Sequence, residues 1–120
     1  MTKIQNPKHY DLEERTFKFS QLIIIFVNKL PKALVNLEIN RQLIRSATSV
    51  GANYIEANES ASKKDFIHRI KICRKEAKET CYWLKLLEIS SAELKTERDK
   101  LLQEATELMK IFGAILEKSK

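Results

Sequence analysis

The sequence predicts an all-α chain folded as a single antiparallel four-helix bundle. Three observations carry that reading. Two glycines and two prolines in 120 residues leave little turn chemistry, so elements must be few and long. Pro31, Ser60-Ala61-Ser62 and Ser90-Ser91 are the clearest breaks, and they leave four segments of similar length. Each segment carries apolar residues three and four apart, the period of a helix with one buried face. The length fits one domain over residues 1–120, with residues 1–10 expected as a loosely ordered N-terminal arm.

The first segment, about Asp11 to Leu30, aligns Leu12, Phe19, Ile23, Phe26 and Leu30 on one stripe. Ile23-Ile24-Ile25 alone suits a strand, but the helical spacing continues on both sides of it. Phe17 and Ile24 fall nearly opposite the stripe, seven apart. A helix apolar on two sides is buried on two sides, either against two neighbours in one bundle or at a subunit interface.

The second segment, about Leu37 to Ser60, has two apolar stripes. Ile39, Leu43, Ala47, Val50, Tyr54 and Ala57 form one; Ile44, Gly51 and Ile55, with Thr48, form another rotated by roughly 100°. The second stripe is a further candidate for the subunit interface. Ala47, Gly51 and Ala57 admit a close backbone, which offsets the ~1 kcal/mol that a mid-helix glycine costs. A polar row runs beside these stripes: Glu38, Arg45, Ser49 and Glu56, flanked by Gln42 and Asn53. It reads as a solvated face or a hydrogen-bonded seam between helices more readily than as a catalytic strip. Arg45 is its anchor, because its fork grips a carboxylate with two bonds. The expected partner is Glu76 or Glu79 of the third segment, or Glu56 of a neighbouring subunit.

The third segment opens with Ser62 as N-cap and Asp65 three residues on. Its core stripe is Phe66, Ile70, Cys73, Ala77, Thr80, Leu84 and Leu87. Opposite lie Lys64, His68, Lys71, Lys75, Lys78 and Lys85, with Tyr82 among them. They occupy about a third of the helix circumference. From Lys63 to Lys85 there are eight Lys or Arg against Asp65, Glu76 and Glu79, leaving +5 of the chain's formal +6. Such a strip suits phosphate contacts without base readout, and it equally suits a solvated face that keeps a bundle soluble. The fourth segment, about Ala92 to Lys118, buries Leu94, Leu101, Ala105, Leu108, Phe112 and Ile115 and mixes charges outside.

Other chemistry is not signalled. Cys73 and Cys81 lie eight apart, about 12 Å along one helix, too far for a disulfide, and read as core residues of a reduced, cytoplasmic protein. Met1 to Asp11 is polar and carries Pro7, unlike a secretory leader. The apolar run Leu22–Val27 is far short of the ~20 residues of a membrane span. His9 and His68 are the only histidines; no spacing indicates a zinc site, a catalytic triad or a glycine-rich phosphate loop. No cofactor, metal or catalytic residue is expected, and no enzyme.

The motifs "YDLEERTF", "LPK", "QLIRSATSVGANYIEA", "SKKDFIHRIKICRKEAKETCYWLKLLE" and "KLLQEATELMKIFGAILEKSK" follow one another at family spacing from Tyr10 to Lys120. They resemble the four-helix-bundle proteins encoded in intervening sequences of bacterial large-subunit ribosomal RNA, also labelled S23 ribosomal proteins. The resemblance is strong at Gln42, Arg45, Ser46, Ser49, Asn53 and Glu56, and again at Lys75, Glu76, Glu79, Trp83 and Leu84. It implies an up-down-up-down bundle that assembles as a homopentamer. It also implies kinship with the accessory protein of diversity-generating retroelements, a basic pentamer that contacts nucleic acid and a reverse transcriptase. It supplies no catalytic residues. Two functional readings follow: association with RNA or DNA through the lysine face, or an adaptor whose oligomer surface binds another protein.

Overall fold

A computed structural model describes the backbone of residues 7–120 and the side chains of residues 12–120. Four helices follow in order: α1 Pro7–Lys29, α2 Leu34–Asn58, α3 Lys63–Leu86 and α4 Ala92–Lys118. Each packs on its chain neighbours, and α1 closes the ring against α4, so α1 and α3 stand at opposite corners, as do α2 and α4. The bundle measures 45 × 26 × 19 Å.

The helix boundaries follow from capping. The Ser62 and Ser91 hydroxyls accept from the backbone N–H of Asp65 and Leu94, each at 3.1 Å, satisfying donors that an uncapped first turn leaves open. α4 has the bounds the sequence predicts. α1 and α2 begin earlier than expected, at Pro7 rather than Asp11 and at Leu34 rather than Leu37. A proline fits the first helical turn, where no N–H is needed. At α2 the residue before the helix is Ala33, which has no side-chain cap, so nothing in the sequence marks that start. The expected N-terminal arm lies outside the described residues up to residue 6, and residues 7–10 are helical.

The core is built on the predicted stripes, with Ile39, Phe66, Leu94 and Ile115 only partly buried at its margin and Val27, Cys81 and Ile89 added to it. Phe19, Ile23, Phe26, Leu43, Val50, Ile70, Leu84, Leu108 and Phe112 are all essentially inaccessible to water. Tyr54 of α2 meets Phe112 of α4 across the core, ring centroids 5.8 Å apart and tilted by 55°. Gly51 has a local purpose. A Cβ there would lie 3.2 Å from Thr16 Oγ1 and 3.3 Å from Thr16 Cβ of α1. Thr16 is buried and donates its hydroxyl to the Leu12 carbonyl at 2.9 Å, so α1 rests its Thr16 turn directly on the α2 backbone.

Candidate nucleic-acid interface

The seam between α2 and α3 accounts for most of the polar row. The Arg45 guanidinium donates to Glu76 Oε1 at 3.3 Å, to Glu79 Oε2 and, through Nε, to Gln42 Oε1 at 3.2 Å. The Trp83 indole N–H donates to the same Glu79 oxygen at 2.9 Å. Below this knot, Ser46 and Thr80 hydroxyls meet at 2.9 Å in the fully buried layer. One end of the seam is closed by Arg69, which donates to Asn53 Oδ1 at 2.9 Å while Asn53 donates to the Ser49 carbonyl. Arg45 therefore takes the intramolecular partners that the sequence suggests. Glu56 is exposed and, among the described residues, forms no ion pair; Glu38 pairs instead with Arg41 on the surface. The row is a cross-linked seam along Gln42–Asn53 and an open surface at its two acidic ends.

Two buried carboxamides escape the sequence reading. Asn36 and Asn40 are 4 % and 7 % exposed, and their Oδ1 atoms have no donor among the described residues. They occupy the same stripe as Leu43 and Ala47, so the available signal was a polar residue at an apolar spacing. Asn36 does donate to the Glu88 carbonyl at 3.5 Å, tying the α3–α4 loop to α2.

The lysine row is outside everything. Lys64, His68, Lys71, Lys75, Lys78 and Lys85 are all exposed, on the face of α3 turned away from both packing partners. The contacts of α3 fix that orientation: Arg69, Glu76 and Thr80 reach α2, and Cys81 meets Thr106 of α4. Among the described residues no salt bridge engages these six side chains. A shallow concavity at the start of the strip is lined by Lys63, Lys64, Ile67, His68 and Lys71. The arrangement holds cations about 32 Å apart from end to end on one rigid helix, with no acid interleaved on the outward surface. Its chemistry suits electrostatic contact with a polyanion.

The other predicted surface residues divide. Phe17, Ile24 and Ile55 are 64 %, 43 % and 53 % exposed, so the bundle leaves them uncovered. Ile44 is partly buried against the core. Gly51 is the correction: Thr16 of the same chain already fills the space in front of it, so it serves the α1–α2 contact and not a subunit interface. Leu34, Val35, Leu37 and Leu86 add exposed apolar area that the stripes did not suggest. Both cysteines are unpaired and buried. Cys73 donates its thiol to the Val50 carbonyl at 3.4 Å, and burial pushes its pKa up to about 12. Among the described residues, no cluster of His, Cys, Asp and Glu is placed to hold a metal ion, and no helix is long and apolar enough to cross a membrane.

The sequence profile of the 23S rRNA-intervening sequence proteins matches residues 8–114. Among solved structures, the chain is similar to a protein of unknown function from the S23 ribosomal protein family of Bacteroides thetaiotaomicron VPI-5482. The TM-score is 0.75 at 32 % identity, covering 92 % of this chain and 98 % of that one. No curated protein matches it.

Proposed function

The chain belongs to the family of 23S rRNA-intervening sequence proteins, and from that premise we propose that it is a non-enzymatic, oligomeric, cytoplasmic protein that associates with nucleic acid through α3. The observation that carries the reading is the outward row Lys64, His68, Lys71, Lys75, Lys78 and Lys85, exposed together on a helix face that no other helix covers. Phosphates are met by point charges along one straight edge, so binding is driven by counterion release and reads little sequence. The exposed apolar residues Phe17, Ile24 and Ile55 favour a homo-oligomer, a pentamer by resemblance, and an oligomer repeats the lysine strip in each subunit. The unpaired, buried cysteines accord with a reducing compartment. Exposed apolar residues elsewhere, Leu34 and Val35 at the start of α2, favour the second reading, an adaptor that docks another protein.

Lys71→Glu, Lys75→Glu and Lys78→Glu introduced together test the proposal. The parent should bind RNA at low salt with log affinity falling linearly in log salt concentration, and the triple variant should stay folded and lose binding. An unchanged affinity in the variant, or no binding by the parent, leaves the lysines as a solvating face and moves the adaptor reading ahead.

A further inference from the structure

One aromatic stands inside the lysine row without being covered by it. Tyr82 is 57 % exposed, while a tyrosine placed there only for packing would lie under its neighbours. Its ring is nonetheless held. Tyr82 meets Trp83 edge-on, centroids 5.1 Å apart and planes at 69°. Trp83 is itself half-buried and anchored through its indole N–H to Glu79, which Arg45 grips from α2. The polar seam thus anchors the aromatic pair from behind, while more than half of Tyr82 stays in water. Lys78 lies one turn before Tyr82 and Lys85 one turn after, on the same outward face.

We propose that Tyr82 is a stacking platform for an unpaired base, and that α3 therefore takes single-stranded nucleic acid in preference to a duplex. The inference rests on the nucleic-acid reading above and adds which form is bound. Lys78 and Lys85 hold phosphates on either side, and the base between them turns onto the ring. A duplex offers the lysines the same phosphates but keeps its base faces stacked inside, so Tyr82 adds nothing there. Stacking tolerates any base, so little sequence preference is expected of it. Because the ring is already oriented, little freedom is lost when the base arrives.

The test compares labelled single-stranded RNA, single-stranded DNA of the same sequence and an RNA duplex of equal length at low salt. The parent, Tyr82→Ala and Tyr82→Phe are each titrated by fluorescence anisotropy. Expected are tighter binding of both single strands than of duplex, and a loss of roughly 5- to 30-fold for Tyr82→Ala on single strands only. Tyr82→Phe should retain parental affinity, and the fluorescence of Trp83, the sole tryptophan, should change on binding single strands but not duplex. Equal affinity for strand and duplex with Tyr82→Ala unchanged overturns the stacking platform and leaves the phosphate reading standing. Equal loss on strand and duplex overturns it too, by showing a structural effect. Binding confined to one sugar type also overturns it, since base faces are common to both. No binding of any probe by the parent removes the nucleic-acid reading beneath it.

Discussion

Replacing Arg45 by alanine isolates the α2–α3 seam. A fully buried pair broken on one side costs about 3–5 kcal/mol, whereas an exposed pair is worth about 0–1 kcal/mol. The site lies between these limits and is unequal at its two ends. The Glu76 side chain is 10 % exposed and Glu79 30 %, but Arg45 is 47 % exposed. Water can therefore enter where the guanidinium stood and hydrate part of what it leaves. Glu79 also keeps the Trp83 indole N–H at 2.9 Å. Glu76 loses its one ion-pair partner among the described residues. We expect Arg45→Ala to destabilise the chain by about 1.5–2.5 kcal/mol, less than a buried pair and more than a surface one. For a domain of this length that is roughly 6–10 °C in Tm.

The mechanism is tested by a cycle with Glu76→Gln, followed by urea denaturation. If the cost of Arg45→Ala is an unpartnered carboxylate in the seam, Glu76→Gln should recover about 1 kcal/mol or more in the Arg45→Ala background and should destabilise the parent. Arg45→Lys should fall between, because an ammonium cannot span two carboxylates. Arg45→Ala within 0.5 kcal/mol of the parent would refute the reasoning (roughly the scatter of neutral surface substitutions). So would the absence of coupling between the two positions.

Gly51→Ala gains about 1 kcal/mol of helix propensity but forces Thr16 back from a 3.2 Å contact, so a net loss of about 1 kcal/mol is expected in thermal melts. Adding Thr16→Ala should recover part of that loss relative to Thr16→Ala alone. Burial raises the Cys73 pKa from 9.0 to about 12 and that of Tyr54 from 10.0 to about 12. The folded chain thus holds protons that the unfolded chain releases, so this stability is intact below about pH 9 and is lost as pH rises towards 12. Cys73 alone accounts for roughly 4 kcal/mol across that window, and denaturation of Cys73→Ala should show the alkaline decline starting nearer pH 10. Light scattering should give a multiple of 14.0 kDa, five expected by resemblance, and Phe17→Glu with Ile24→Glu should lower it to the monomer. A parent that runs as a monomer would reject self-association.

The core was legible because helical period and residue size act locally: Phe19, Leu43, Ile70 and Leu108 each declare a face within their own segment. The cap at Ser62 was legible for the same reason, whereas at Ser91 the sequence marked only a break between segments. Arg45 could be paired from sequence because it is a lone cation in a row of acceptors facing a helix with two glutamates. What was not legible depends on where two helices touch. Thr16 and Gly51 lie 35 residues apart, and only the angle between α1 and α2 makes the glycine an intramolecular seat. Asn36 and Asn40 interrupt an apolar stripe, and hydropathy alone places such residues on the surface, yet both are buried and Asn36 is tied to the α3–α4 loop. The early start of α2 at Leu34 has no capping signal at all.

The two uncovered surfaces are compatible because of where the ring of helices puts them. α1 touches α2 and α4 but not α3, so the outward faces of α1 and α3 point away from each other across the bundle. Phe17 and Ile24 belong to the first, the lysine row to the second. The register fixed by Asn58 donating to Glu13 at 2.6 Å, with Thr16 on Gly51, brings Ile55 to the level of Phe17 on the α1–α2 side. A contact that buries this apolar side against any face other than α3 therefore leaves the lysine rows in solvent, and repelling charges of neighbouring subunits are kept apart by the thickness of a bundle. The reverse arrangement, with α3 inward, would crowd the local +5 of each subunit against the next, a repulsion that no exposed apolar stripe on α3 offsets. Phe17→Glu with Ile24→Glu should accordingly reduce assembly without touching the charge of α3. Nucleic-acid affinity should then fall only through lost repetition of the strip, with the monomer retaining a shallower salt dependence. A dissociated variant that keeps the full salt slope of the parent would show that one subunit makes all the contacts.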